Sequence, residues 1–200
     1  MSSAKSCANA GFPHHTAADF GACALFDTGI GACGIAWRGG AIVAVQLPEP
    51  DPVHTLVRML RFTGALPQVP LTEAPVGVQQ AAEGVQALMR GEPRDLCEVV
   101  LDMRGVSDFY QRVYAIARCI RPGQTRTYGD LAEELGDKHL ARAVGQALGF
   151  NPFAPIVPCH RVLAAHGKPG GFSGGWGPVT KLKMLSIEGA ALGGTRSLFD

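Results

Sequence analysis

The segment NPFAPIVPCHRVL, residues 151–163, constrains this chain more than any other stretch of its sequence. Its first part is apolar and broken by prolines, which is typical of buried, irregular backbone. Cys159, His160 and Arg161 then follow in direct succession. Buried cysteine usually serves as a small hydrophobic side chain, but a thiol beside an imidazole is also the pattern of a nucleophile and its base. The segment therefore predicts either core packing or thiol chemistry.

Length and composition restrict the class of protein. The 200 residues suit one large domain or two small ones, and a hydrophobic content of 46% is enough for a core. No stretch reaches the roughly 18 uninterrupted apolar residues of a transmembrane helix, so no membrane partner is expected. The N-terminal residues lack the pattern of a secretory signal, in which a charged segment precedes an apolar one. We therefore expect a cytoplasmic protein.

The six cysteines contain no CxxC pair and no spacing typical of a disulfide framework, so free thiols are expected. A zinc site formed by Cys7, Cys23 and either His14 or His15 is one alternative, but the spacing matches no standard ligand pattern. The prediction is therefore a protein with no metal and no cofactor.

Charge is divided unevenly along the chain. Residues 1–103 hold 6 Lys and Arg against 10 Asp and Glu, whereas residues 104–200 hold 12 against 7. A polyanion would therefore meet the second half of the chain. Many enzymes show a similar imbalance, so the charge is a weak indication by itself.

Patterning in the first half predicts a small α/β unit. The runs GACGIAW and AIVAVQL flank RGG and predict a β-hairpin. The stretch PVHTLVRMLRF predicts a helix, since Val53, Leu56, Val57 and Leu60 recur at helical spacing. A second helix is predicted over VGVQQAAEGVQALMRG, and DLCEVVLDM predicts a further strand.

The second half predicts a series of helices. DFYQRVYAIARCI carries one apolar helical stripe, and TYGDLAEELG forms a short helix with Thr127 as its N-cap and Gly136 as its stop. After a tight turn, a further helix over DKHLARAVGQALGF is capped by Asp137 and cannot continue through Pro152. The two short helices predict a helix-turn-helix.

The second helix of this pair has two distinct faces. The predicted buried stripe consists of Leu140, Val144, Ala147 and Leu148. The other face collects small or basic residues, namely Lys138, Ala141, Arg142, Gly145 and Gly149. Such a face either packs closely against another helix or presses against nucleic acid, and the pattern alone does not separate the two.

Two features downstream of Cys159 bear on its chemistry. The segment GKPGGFSGGWG is rich enough in glycine to form a loop that exposes backbone N–H groups to a ligand. The final helix, VTKLKMLSIEG, directs Leu182 and Leu185 inward and carries Glu188 in its last turn. Because the helix dipole disfavours an acid at that end, a compensating group is expected, and an imidazolium is one candidate.

The chain from Arg142 to Gly175 is similar to the signature of the O6-alkylguanine–DNA alkyltransferases, also called methylated-DNA–protein-cysteine methyltransferases. RAVGQALGFNP, IVPCHRV and GGFSGG match this signature without gaps, and TYGDLA and IEG fall at the expected distances. The resemblance covers about the last half of the chain, and the first half only by its α/β outline.

The resemblance implies a role for the cysteine. Cys159 would be the nucleophile that accepts an alkyl group from the O6 atom of guanine, with O4-alkylthymine as a second candidate substrate. His160 would act on the thiol as a base through a water, and Glu188 would orient the imidazole. Tyr128 would assist base rotation and donate to guanine N3. Since water cannot hydrolyse the thioether product, each molecule would act once. We further expect the imidazolium to depress the pKa of the thiol.

The resemblance also implies how DNA is bound. The second helix of the pair would lie in the minor groove of double-stranded alkylated DNA, where Ala141 and Gly145 allow close approach and Lys138 adds positive charge. Arg142 would enter the base stack in place of the flipped nucleotide.

Four further residues would complete the substrate pocket. Asn151 matches a buried hinge that ties the recognition helix to the active-site segment. The N–H of Ser173 and the carbonyls of Cys159 and Val162 would read the edge of the base. Phe172 stands where the family often has tyrosine, so it would keep the pocket wall without the hydroxyl.

The implied fold is α/β with two domains. Residues 1–103 would form a ribonuclease-H-like domain, and residues 104–200 a winged-helix-like domain with the helix-turn-helix and every functional residue. The protein is expected to be a monomer. Two alternatives remain open: a DNA-binding regulator without chemistry, and a multiple-turnover thiol hydrolase built on Cys159 and His160.

Overall fold

A three-stranded antiparallel sheet forms the first half of this computed structural model, which describes residues 21–190. The strands β1 (Ala22–Thr28), β2 (Gly31–Arg38) and β3 (Ala41–Gln46) are neighbours in chain order. Gly39 and Gly40 join β2 to β3, and both have the positive φ that a tight hairpin turn favours. The predicted hairpin is confirmed, whereas the sequence patterns do not predict β1.

Two helices pack on this sheet, and both are predicted correctly. Helix α1 (Pro52–Thr63) lies against β2 and β3, and α2 (Val76–Met89) lies against β1. No helix within residues 21–190 is long and apolar enough to cross a membrane.

The buried face of α1 differs from the one its apolar residues indicate. Val53 and Val57 are exposed, whereas Thr55 and Met59 are buried. The Thr55 hydroxyl accepts a hydrogen bond from the Glu49 N–H at 3.0 Å. Because its hydroxyl has a hydrogen-bond partner inside the protein, Thr55 can be buried. Hydrophobicity alone would predict that Val53 or Val57 is buried in its place.

The predicted strand over DLCEVVLDM is wrong. Residues 95–103 are irregular apart from a single bridge between Leu101 and Ile42. The guanidinium of Arg118 donates to three carbonyls of this segment at 2.7–3.0 Å, those of Leu96, Cys97 and Val99. These carbonyls bind a side chain, so they do not pair with a neighbouring strand.

The second half contains the predicted helices α3 (Asp108–Arg118), α4 (Tyr128–Glu134) and α5 (Ala141–Gly149). Thr127 caps α4 in a capping box, since its Oγ1 accepts from the Asp130 N–H and Asp130 Oδ2 accepts from the Thr127 N–H. Asp137 caps a 3₁₀ turn, Lys138–Leu140, so α5 itself begins three residues later than the sequence indicates. Helices α4 and α5 pack against each other.

The active-site segment is held between the sheet and the last helix. The short strands β4 (Arg126–Thr127) and β5 (Val162–Leu163) pair in parallel, and α6 (Pro178–Ile187) packs on the 3₁₀ turn Cys159–Arg161. The Val45 N–H of β3 donates to the Pro152 carbonyl at 2.8 Å. One hydrophobic cluster runs through both halves, with Ile35 and Val85 from the first and Val144 from the second. The site therefore rests on a continuous core.

We expect Arg118→Met to destabilise the protein, because it leaves three carbonyls without their charged donor while keeping the apolar stem of the side chain. The loss should be about 2 kcal/mol in the free energy of unfolding by urea. Arg112→Met is the matched control on the same helix, since Arg112 is exposed and donates to a single carbonyl. Equal stability of the two variants would show that Arg118 does not organise residues 95–103.

Candidate active site

Cys159 lines an open cavity of about 510 Å³ at the surface of the second half. It begins the 3₁₀ turn that follows the apolar run, and it is only 7% exposed. The cavity brings together seven residues that the sequence predicts for the site: Tyr128, Ala141, Arg142, Gly145, Cys159, Phe172 and Ser173. A ligand that fills this cavity would therefore contact the Cys159 side chain.

A buried carboxylate contacts the two residues that follow the cysteine. The Oε1 atom of Glu188 is 2.8 Å from Nε2 of His160, and the two side chains are 2% and 0% exposed. Arg161 donates to the same carboxylate through Nε at 3.0 Å and Nη2 at 2.8 Å, and through Nη1 to the Ile120 carbonyl at 2.6 Å. The Gly123 N–H adds a further donor at 3.3 Å. Glu188 therefore joins the active-site turn, the end of α6 and the loop after α3.

This arrangement fixes the charge states of the pair. Burial alone raises the pKa of Glu188, but the hydrogen bonds from His160 and Arg161 outweigh it and lower this pKa to about 2. Burial lowers the pKa of His160, although Glu188 opposes the shift. Because the permanently charged Arg161 already neutralises the carboxylate, His160 is a neutral imidazole at neutral pH.

The two ring nitrogens of the neutral His160 differ in their hydrogen bonding. Its Nε2 atom faces the Glu188 carboxylate and is therefore the protonated nitrogen. Its Nδ1 atom is buried and has no hydrogen-bond partner among residues 21–190. This nitrogen carries a free lone pair, which is what a general base needs.

The expected depression of the thiol pKa is wrong for this structure. Burial raises the pKa of Cys159, and the side chain of Asn151 and the positive charge of Lys181 only partly oppose it. The expectation fails because Arg161 faces Glu188 and His160 is uncharged, so neither places a cation beside the sulfur. The Cys159 side chain is therefore a thiol at neutral pH, and any reaction at its sulfur would require loss of that proton.

Lys181 is a site residue that the sequence patterns miss. It is fully buried on α6, where its Nζ donates to the Val162 carbonyl at 2.6 Å. The Nζ atom also lies 5.8 Å from the ring centre of Tyr128 and 6.0 Å from that of Phe172. Burial lowers the pKa of Lys181 to about 8. Its position one helical turn before Leu185, on the inward stripe of α6, is the signal that could have identified it.

Asn151 closes the loop between α5 and the active-site turn. Its Nδ2 donates to the Val157 carbonyl at 2.9 Å, and its Oδ1 accepts from the Phe153 N–H at 2.9 Å. The side chain is thereby satisfied at both ends in a buried position. It ties the end of α5 to the segment that leads into Cys159.

Tyr128 stands at the first position of α4, directly after the capping residue. Gly170 packs on its ring so closely that a Cβ there would lie 3.2 Å from Cε2, and Gly145 faces it from α5. Burial raises the pKa of Tyr128, so its hydroxyl stays protonated and can donate a hydrogen bond.

Five predicted site residues do not line this cavity: His160, Glu188 and Asn151, which are described above, and Lys138 and Val162. Lys138 is exposed in the 3₁₀ turn before α5. Val162 is buried in β5, and its carbonyl accepts from Lys181. Of the inward residues expected on α6, Leu185 is fully buried and Leu182 only partly.

Metal ligands are not assembled in the described part of the chain, where no three His, Cys, Asp or Glu side chains are grouped to hold an ion. Three of the zinc ligands considered from the sequence, Cys7, His14 and His15, lie outside the described residues. Cys23 is buried in β1, with its Sγ 3.9 Å from the Leu66 carbonyl.

Comparison with known proteins identifies the family. The family model described as the DNA-binding domain of 6-O-methylguanine DNA methyltransferase matches residues 108–190. The methylated-DNA–protein-cysteine methyltransferase of Mycolicibacterium paratuberculosis is 40% identical over 156 residues, which are 78% of this chain and 92% of that protein. The chain belongs to the methylated-DNA–protein-cysteine methyltransferase family. A DNA base-flipping protein of Thermus thermophilus is 44% identical over 54% of this chain and 71% of its own length.

Solved structures of the family share the fold. Mycobacterium tuberculosis OGT in complex with DNA superimposes with a TM-score of 0.66 at 34% identity, over 84% of this chain and 92% of that one. The O6-methylguanine-DNA methyltransferase of Pyrococcus kodakaraensis gives 0.62 at 28% identity, over 84% and 99%. The mixed helix and strand architecture described above is thus that of the family.

We expect Glu188→Gln to lower the free energy of unfolding at pH 7, because Arg161 loses its counter-ion. The pKa of Glu188 falls from 4.5 to about 2 on folding, which corresponds to a stabilisation on the order of 3 kcal/mol. A group whose pKa is lowered on folding stabilises the protein above its unfolded pKa. The difference between wild type and variant should therefore shrink as the pH falls from 4.5 towards 2, as followed by urea unfolding.

Glu134→Gln is the control for this measurement, since Glu134 pairs with Arg126 at the surface, where such pairs contribute about 0–1 kcal/mol. If Glu188→Gln were as stable as Glu134→Gln at pH 7, the buried carboxylate would not hold the site together.

Proposed function

We propose that the protein repairs DNA by transferring the alkyl group of O6-alkylguanine, irreversibly and once per molecule, to Cys159. One observation carries this proposal: among residues 21–190, Cys159 is the buried thiol that lines the cavity of about 510 Å³, and the next residue of the same 3₁₀ turn, His160, is hydrogen-bonded to the buried Glu188. The DNA-binding family model over residues 108–190 and the names of the relatives support the choice of substrate.

The nucleophile is activated during the reaction. Nδ1 of His160 removes the proton of the Cys159 thiol through a water, and the sulfur then attacks the alkyl carbon. Glu188, which Arg161 holds in place, keeps the imidazole oriented and stabilises the imidazolium that forms. Lys181 provides the positive charge nearest the developing thiolate, which lowers the cost of forming an anion in a buried place.

The leaving group is the guanine. As the sulfur–carbon bond forms, the bond from that carbon to O6 breaks and its electrons pass to the base. The protonated hydroxyl of Tyr128 donates to guanine N3 and so stabilises the negative charge on the ring. The guanine then takes up a proton, and a thioether remains on Cys159. No water can hydrolyse this bond, so the protein is not regenerated.

Access to the buried thiol requires that the base leave the duplex. In the proposed complex, α5 lies in the minor groove of double-stranded DNA, with Ala141 and Gly145 against the backbone and Lys138 adding charge. The exposed Arg142 fills the place of the flipped nucleotide. The protein acts as a monomer in this proposal, with residues 1–103 as a ribonuclease-H-like domain and residues 104–200 as a winged-helix-like one.

The pocket reads the base in the same proposal. The Ser173 N–H and the Cys159 carbonyl face the edge of the flipped guanine, and Phe172 forms a wall of the pocket. The Val162 carbonyl, which was also expected to read the base, instead accepts from Lys181 outside the cavity. Asn151 keeps this segment in register with α5.

Incubation with a methylated duplex should add one methyl group per protein, on Cys159, as measured by intact mass and peptide mapping. Cys159→Ala should lose transfer yet still bind the duplex, because the DNA-binding face lies on α5. Cys97→Ala is the control, since Cys97 is an exposed thiol that is far from Cys159 in the sequence. Turnover of excess substrate would instead favour the hydrolase, and binding by wild type without transfer would favour the regulator.

Arg142→Ala should slow transfer from duplex DNA on the order of tenfold or more, because unstacking a base costs a few kcal/mol that the arginine offsets. Transfer from the free base should change little. Single-turnover rates with the two substrates measure this, with Arg112→Ala as a control that removes an equal charge from an exposed site on α3. Equal slowing with both substrates would place Arg142 in the pocket and not in the base stack.

A further inference from the structure

The loop that forms one wall of the active-site cavity has empty space on both sides. Phe172 and Ser173 line the 510 Å³ cavity described above, and they also line a second cavity of about 250 Å³. Cys159 lines both cavities as well. With cavities on both sides, this loop is packed only in part, through Phe172 against the core and through the glycines that follow it, so polar contacts help to fix its position.

One of these interactions comes from the first half of the chain. Arg58 of α1 donates from Nη2 to the carbonyl oxygen of Ser173, across 115 positions in sequence. Its other terminal nitrogen, Nη1, lies 3.1 Å from Oε1 of Glu49, whose side chain is 11% exposed. The planar guanidinium thus joins the pocket loop to a carboxylate of the first half.

Glu49 is itself held in place. Its Oε1 accepts from Gln46 Nε2 at 3.2 Å, and its backbone N–H donates to the hydroxyl of the buried Thr55 at 3.0 Å. Arg58 is therefore anchored to the end of β3 and to the buried face of its own helix.

Ser173 also forms a hydrogen bond with α5. Its hydroxyl donates to the Gly149 carbonyl at the end of α5, at 3.0 Å. Beyond it, Gly174 and Gly175 press against the end of β3: a Cβ would lie 2.9 Å from Leu47 Cδ1 at the first and 2.6 Å from the Pro48 carbonyl at the second. The loop thus rests on β3 and is tied at Ser173 both to α1 and to α5.

We propose that Arg58 is a positioning residue for the alkyl-transfer site, an inference that rests on the function proposed above. It fixes the Ser173 carbonyl, and thereby the orientation of the Ser173 backbone, so that the N–H of this residue faces the substrate cavity. The first half of the chain then contributes to the alkyl-transfer site, because the guanidinium of Arg58 positions one wall of the pocket. Lysine cannot replace it fully, because a single ammonium lacks the fork that spans two acceptors.

The test compares wild type, Arg58→Ala, Arg58→Lys and Arg61→Ala, with free O6-benzylguanine as the substrate. Arg61 lies on the same helix and is exposed, so its variant controls for charge. Arg58→Ala should raise the half-saturating concentration of O6-benzylguanine about tenfold, which corresponds to roughly 1.4 kcal/mol, and leave the limiting rate and its pH profile unchanged. Arg58→Lys should recover part of this loss, and Arg61→Ala should match wild type.

Amide hydrogen exchange provides the second measurement and needs no activity. Residues 172–175 should exchange faster in Arg58→Ala than in wild type, while the midpoint of global unfolding stays the same. The inference would be overturned if Arg58→Ala changed neither the half-saturating concentration of O6-benzylguanine nor the exchange rates of residues 172–175. It would also be overturned if the variant lowered only the limiting rate. If wild type failed to react with O6-benzylguanine or with methylated DNA, the proposed function would fail, and exchange would still decide whether Arg58 holds the loop.

Discussion

The buried carboxylate of Glu188 is the interaction on which the site depends. It stands just beyond the C-terminus of α6, where the helix dipole opposes a negative charge, and it is almost completely removed from water. A buried anion is costly unless it is paired and hydrogen-bonded. His160, Arg161 and the Gly123 N–H supply these partners, so three separate segments must meet before the charge is satisfied. The geometry behind the thiol is thereby coupled to the folding of the whole second half.

Local chemistry explains why much of this could be predicted from the sequence. The capping residue Thr127 and the glycine turn of the hairpin act within a few positions, so the pattern alone indicates them. The acid at the end of α6 conflicts with the helix dipole, and that conflict indicated a compensating partner. The structure places both His160 and Arg161 against Glu188, and the compensating charge is that of Arg161, because His160 is neutral. The assignment of roles to the residues around Cys159 depended on the family resemblance, because adjacent residues such as Cys159 and His160 need not face one another.

The features that the sequence patterns do not predict depend on contacts between residues that are far apart in the chain. Arg118 binds the carbonyls of residues 95–103 and prevents the strand that their apolar pattern indicates. Thr55 is buried because hydrogen bonds satisfy its hydroxyl, which hydrophobicity cannot show. Burial raises the pKa of the Cys159 thiol, and Arg161, which is paired with Glu188, does not oppose this shift. Lys181 was overlooked because a lysine on a buried stripe is rare.

The central claim is that burial keeps His160 as a neutral imidazole and that Glu188 orients it, so that its Nδ1 is free to take the thiol proton. Nitrogen-15 NMR of histidine-labelled protein tests this directly, with His160→Asn used to assign the ring signals. At pH 7 the account predicts a protonated Nε2 and an unprotonated Nδ1 for His160, and no conversion to the imidazolium until the pH is well below the ordinary histidine pKa of about 6.5. A His160 ring protonated at both nitrogens at pH 7, or carrying its single proton on Nδ1, would contradict it.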